Sequence, residues 1–91
     1  MRYRLVYTDA YLRRARKFFK RHPDLLPLYE KVMSLLELDP FHPSLRLHKL
    51  QGRLQDLHSI SITLSYRVVI HFLIDGNDIV PIDVGDHSVH R

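Results

Sequence analysis

The chain contains no cysteine and no tryptophan, only three glycines in 91 residues, and no apolar run of the roughly 20 residues that cross a bilayer. Without cysteine there is no disulfide framework and no cysteine-ligated zinc, so nothing calls for an oxidising compartment. Glycine is too sparse for a phosphate-cradling loop, and there is no internal repeat or low-complexity tract. The opening residues lack the charged, apolar and small-residue order of a signal peptide, so the expected compartment is the cytoplasm. A chain of this length cannot divide its apolar residues between two cores, and residues 1–91 are expected to form one domain. With 45% hydrophobic and 26% charged residues, that domain is globular and of modest stability.

Charge is unevenly placed. The net charge is +4, and eight of the fourteen Lys and Arg residues precede His22: Arg2, Arg4, Arg13, Arg14, Arg16, Lys17, Lys20 and Arg21. Only Asp9 opposes them. A field of that sign favours polyanions, either nucleic acid or the acidic face of a protein partner, and the attraction weakens with salt.

Residues Arg2 to Tyr7 alternate, with Tyr3, Leu5 and Tyr7 on one side, which suits a half-buried strand. Thr8 can cap the next element, and Asp9 suits its positive N-terminal end. Tyr11, Leu12, Ala15, Phe18, Phe19 and His22 then recur at helical spacing. The opposite face of this helix carries Arg13, Arg16, Lys17 and Lys20, a stripe expected to face nucleic acid or an acidic protein partner. Pro23 closes the helix. Asp24 is positioned to cap a second helix, with Pro27 in its first turn and an apolar face of Leu25, Leu28, Tyr29, Val32, Leu35 and Leu36. So short a link makes the two helices a hairpin. Asp39-Pro40 ends the second helix, and Asp39 to Gly52 reads as an exposed connection that carries Arg46, His48 and Lys49.

Beyond Gly52 the period becomes two. Ile60, Ile62 and Leu64 alternate with Ser59, Ser61 and Thr63. Tyr66, Val68, Ile70, Phe72 and Ile74 alternate with Arg67, Val69, His71 and Leu73. Matching apolar with apolar residues across the hairpin pairs Ile62 with Val68 and Ile60 with Ile70, and leaves Arg67 off the core face. A turn at Asp75-Gly76-Asn77-Asp78 leads into a last strand from Ile79 to Val84, where Pro81 predicts a bulge or a missing hydrogen bond. The expected fold is α+β in two layers: strand, two helices, then consecutive antiparallel strands, with the helix hairpin on one sheet face and the other face open.

Histidines, a lysine and an arginine on short strands of a basic domain suit the handling of a phosphodiester. Internal RNA cleavage can use the substrate's own 2′-hydroxyl. It then needs a base, an acid for the leaving 5′-oxygen and cations against the developing phosphorane charge. Histidine titrates near neutrality, and the guanidinium fork donates two parallel hydrogen bonds to phosphate. His87 follows the last strand, Arg67 begins the strand before it, and His48 with Lys49 can reach across from the connection. Arg46, Arg53, His90 and Arg91 add phosphate-binding capacity around them. No metal or other cofactor is needed, and the short spacing of Asp83, Asp86, His87 and His90 is too unspecific for a metal site.

Three segments, His48-Lys49-Leu50-Gln51-Gly52, Tyr66-Arg67 and Gly85-Asp86-His87, resemble the RelE/YafQ group of type II toxin-antitoxin toxins, and the likeness covers almost the whole chain. The resemblance implies a RelE-like fold and a ribosome-dependent messenger RNA endoribonuclease. In it His48 and His87 match active-site histidines, and Arg67 matches an arginine near the scissile phosphate, a role Lys49 shares. It also implies a cognate antitoxin, the ribosome and messenger RNA as partners, and a protein monomeric alone and hetero-oligomeric with its antitoxin. Where YafQ carries a further histidine and an aspartate, this chain has Ser61 and Ser65, and His90 stands where relatives often have a terminal aromatic. Two alternatives remain open on the same fold: a ParE-like toxin that binds DNA gyrase without cleaving RNA, and a degenerate module that only binds an antitoxin.

Overall fold

The computed structural model describes residues 2–52, 56–73 and 76–86. Strands β1 (Arg4–Leu5), β2 (His48–Lys49), β3 (His58–Ser61), β4 (Arg67–Phe72) and β5 (Asp78–Gly85) form a mixed sheet in the order β1-β5-β4-β3-β2. β1 runs parallel to β5, and every other neighbouring pair is antiparallel. Helices α1 (Asp9–Arg21) and α2 (Leu26–Leu38) supply the second layer, giving the expected α+β arrangement with β5 inside the sheet.

Alternation along the strands decides which side chains meet the helices. Ile60, Val68, Ile70 and Ile79 are fully excluded from solvent and pack with Tyr11, Ala15, Met33 and Leu36 of the helices. Burying a side chain of this size contributes about 1.5–3 kcal/mol relative to leaving it exposed. α1 forms where its signals predict: the Thr8 side chain accepts from the Tyr11 backbone N–H at 3.1 Å, and Asp9 lies in the first turn. Tyr11 is 1% exposed, yet its hydroxyl is not orphaned, because it shares a 2.7 Å hydrogen bond with the Tyr29 hydroxyl of α2. Burial raises both phenols above their ordinary range, so this polar link between the helices stays neutral and intact through physiological pH.

Several local expectations are corrected. Asp24 does not cap α2; it lies in a 3-10 turn, Pro23–Leu25, that runs directly into the helix with no side-chain cap. The first strand is paired only over Arg4–Leu5 rather than Arg2 to Tyr7. The connection after α2 is not a plain loop, because its end joins the sheet as the edge strand β2, with His48 opposite Ser59 and Lys49 opposite His58. Buried Leu45 and Leu50 bracket that strand and hold it in place.

The β3–β4 register differs by two residues: Ile60 pairs with Val68, and Ser61 with Arg67. The physical reason is a tighter turn. Ile62 donates to the Tyr66 carbonyl at 2.9 Å, and the Thr63 hydroxyl accepts from the backbone N–H groups of Ser65 and Tyr66. Leu64 therefore sits at an exposed tip, 68% accessible, instead of continuing a strand. A slip of two leaves every side chain on its expected face, since the period is two. At Pro81 the expected irregularity is present: Val69 pairs with Asp83 and Ile70 with Pro81, so Ile82 is an extra residue in β5.

Ile70→Ala empties a fully buried site under the helices and should lower unfolding free energy by about 2–5 kcal/mol. Leu64→Ser at the exposed tip should change it by no more than about 0.5 kcal/mol. Urea unfolding of the two variants checks the contrast.

Candidate functional site on the sheet face away from the helices

Tyr66 and Arg67 are adjacent in sequence and point to opposite faces. Tyr66 packs on Phe18 and His22 of the helical layer, with ring centroids 5.5 and 4.9 Å away. Arg67 consequently faces away from the helices, opposite Ser61 of β3 and Gly85 of β5. It is half-buried, and its Nε is shielded from water without a hydrogen-bond partner among the described residues. A buried guanidinium donor left unsatisfied costs free energy that an anionic acceptor would recover.

His48 lies on the same face. It registers with Ser59, which registers with Val69, two positions along β4 from Arg67. Two strand spacings place it roughly 10 Å to the side. The imidazole and the guanidinium do not touch; a ligand would have to lie between them. This face is not bare, as Ser59, Ser61 and Val69 on it are buried, and the Ser59 hydroxyl has no partner among the described residues. Lys49, next to His48, points to the opposite face beside His58. Arg46 is exposed, in left-handed backbone (φ 50°) just after the 3-10 turn Pro43–Leu45.

Arg13, Arg16, Lys17 and Lys20 are exposed along α1. His87, His90, Arg53 and Arg91 lie outside the described residues. β5 leaves the sheet at Gly85, the register partner of Arg67, two residues before His87 in sequence. Among the described residues no group of three or more His, Asp or Glu side chains could hold a metal ion. Nor is any helix among them long and apolar enough to cross a membrane.

Three other histidines have structural surroundings, while His71 shares the face of Arg67 on β4. His22 stacks against Phe18 at 4.6 Å, and His42 Nδ1 accepts from the Ser44 backbone N–H at 3.2 Å. His58 packs edge-on against Phe72 at 5.1 Å. Burial lowers the His58 pKa, and the nearby charges of Lys49 and His48 lower it further. The sequence places Arg14 and Arg21 in the N-terminal basic cluster but in no site. With Lys17 they form a second cationic row on α1, and all three line a cleft at the end of β5. Their three- and four-residue spacing was legible; that β5 ends against them was not.

No family model matches the chain, and no curated protein matches it. Solved structures do. YafQ from E. coli superposes with a TM-score of 0.77 at 17% identity, covering 96% of this chain and 96% of that one. A YoeB/ParE toxin from Agrobacterium tumefaciens gives 0.72 at 20% identity, covering 92% and 98%. The toxin-antitoxin complex RelBE2 from Mycobacterium tuberculosis gives 0.72 at 18% identity, covering 96% and 100%. At these identities the likeness defines the fold: the chain is built as RelE/YafQ-like toxins are.

The depressed His58 pKa means that the unfolded chain takes up this proton first as pH falls. Stability is then full above the ordinary histidine value near 6.5 and declines as pH drops below it. His58→Gln should flatten this acid limb. Thermal unfolding from pH 7.5 to 5 measures the effect, and an unchanged limb in the variant would mean other groups produce it.

Proposed function

We propose that this chain is a single-domain cytoplasmic toxin of a type II toxin-antitoxin pair and that it cleaves messenger RNA on the ribosome. The observation that carries the reading is Arg67: a guanidinium with a shielded, unpartnered Nε, facing away from the helices beside the end of β5, in a fold shared with YafQ and RelE-like toxins. Arg67 holds the scissile phosphate and offsets the charge that develops as the 2′-hydroxyl attacks. His48, on the same face, and His87 divide the proton transfers, one removing the 2′-hydroxyl proton and the other protonating the leaving 5′-oxygen. The chemistry needs no metal. Lys49, Arg46, Arg53, His90 and Arg91 contribute charge around the path, and the outer row of α1 cations (Arg13, Arg16, Lys17 and Lys20) docks on ribosomal RNA or on an acidic antitoxin. An antitoxin partner accords with neighbours solved as toxin-antitoxin complexes.

The ParE-like reading draws support from one place. Ser61, opposite Arg67, is buried, and Ser65 is in the hairpin turn, so neither supplies a proton-transferring group beside the arginine. That reading requires gyrase inhibition with messenger RNA left intact.

In a reconstituted translation system, Arg67→Ala should slow message cleavage by about 100-fold or more. His87→Ala should slow it by a similar factor, within the roughly 10²–10⁴ range of acid-base groups. Wild-type protein that inhibits gyrase supercoiling while leaving the translated message whole would replace the ribonuclease reading with the gyrase one.

A further inference from the structure

The C-terminal half of α1 and the end of β5 enclose a cleft of about 440 Å³, within the range of small-ligand sites. One wall is the cationic row Arg14, Lys17 and Arg21. The floor is aromatic: Phe18, His22 and Tyr66 pack ring against ring, with centroids 4.6 to 5.5 Å apart. Arg14 spends one N–H on the Ile82 carbonyl at 3.0 Å, which anchors it at the bulge and leaves its other donors available. Lys17 and Arg21 form no ion pair among the described residues. Asp83 and Asp86 border the cleft on the β5 side, and Asp83 uses one carboxylate oxygen to accept from the Val84 backbone N–H at 2.9 Å.

We propose that this cleft is a nucleotide subsite for single-stranded RNA, with a phosphate held by Arg14, Lys17 and Arg21 and its base laid against the Tyr66–His22 rings. Aromatic faces beside a cationic row are the combination that holds unpaired bases along a backbone. The Asp83 carboxylate on the β5 side favours the same occupant: it repels an acidic peptide, whereas a base turns an amino donor toward it and keeps its phosphate at the helix wall. The placement extends the site described above and rests on the RNA reading of it. Gly85 lines the cleft and is also the register partner of Arg67, so the two phosphate-binding places flank one strand end.

The test is fluorescence anisotropy of the full chain with a labelled 2′-O-methyl hexanucleotide, which cannot be cleaved by 2′-hydroxyl attack, across a range of salt. The Lys17→Gln, Arg21→Gln double variant should weaken binding at least about 10-fold and lower the slope of log affinity against log salt by about 1.4, from two contacts at about 0.7 each. Arg2→Gln with Lys31→Gln removes the same charge from exposed positions outside the cleft and should leave affinity within about twofold. Tyr66→Leu should weaken binding about 5-fold or more by removing a stacking face. Its thermal unfolding is followed alongside, because Tyr66 also packs on α1, and if it does not fold the exposed Lys17, Arg21 pair decides.

Equal weakening by the two double variants would reduce the effect to general charge and overturn the subsite. So would oligonucleotide affinity unchanged in the cleft variant, including the case where only binding of an acidic antitoxin is lost. No message cleavage by the wild-type chain would sink the ribonuclease reading, and cleavage insensitive to Arg67→Ala would remove the role assigned to Arg67, each leaving the cleft measurement standing. Cleavage sensitive to Arg67→Ala, with wild-type oligonucleotide binding in the cleft variant, would do the reverse.

Discussion

The two-residue period of β4 is the constraint on which the rest of the molecule depends. Val68 and Ile70 are fully excluded from solvent under the helices, so Arg67, Val69 and His71 must face the other way. β4 is paired on both sides, so a one-residue slip would exchange these sets, burying a guanidinium under α1 and exposing the core. The cost of burying that charge without a partner keeps the register in place. Packing and the placement of Arg67 are thus one fact: the core that fixes Val68 also aims the arginine.

Charge follows the same logic on α1, at a different period. Its apolar positions meet the sheet, and its cations form an outward row and a row bordering the cleft that share Lys17. The Arg4–Asp78 pair is the one ion pair among the described residues; its two hydrogen bonds, 3.0 and 2.9 Å, tie β1 to β5 at an exposed position where such links contribute little. Among the described residues, most of the positive charge therefore lies outside ion pairs.

Much of this architecture is legible in the sequence because periodicity reports burial directly. α1 with its Thr8 cap, the end of α2 before Asp39-Pro40, the face of Arg67 and the irregularity at Pro81 all follow from local chemistry. Long-range pairing is what local chemistry could not supply. His48-Lys49 reads as loop because a two-residue edge strand has no period of its own, and β3 supplies the partner that defines it. Apolar matching alone does not fix the hairpin register, because it tolerates a slip of two. The Thr63 turn, not the matching, settles it. The Arg14–Lys17–Arg21 row was visible as spacing but had no second wall until β5 was placed beside it.

The extra residue at Ile82 has an effect on association. β1 stops at Leu5, paired with Ile79, so among the described residues the later part of β5 has no strand on its outer side. An uncovered ladder of that kind ordinarily recruits strands from other molecules. Here proline removes one donor, the bulge breaks the hydrogen-bonding rhythm, and the Arg14 guanidinium occupies the Ile82 carbonyl. Along that edge the interruption leaves a second copy no regular row of groups to continue.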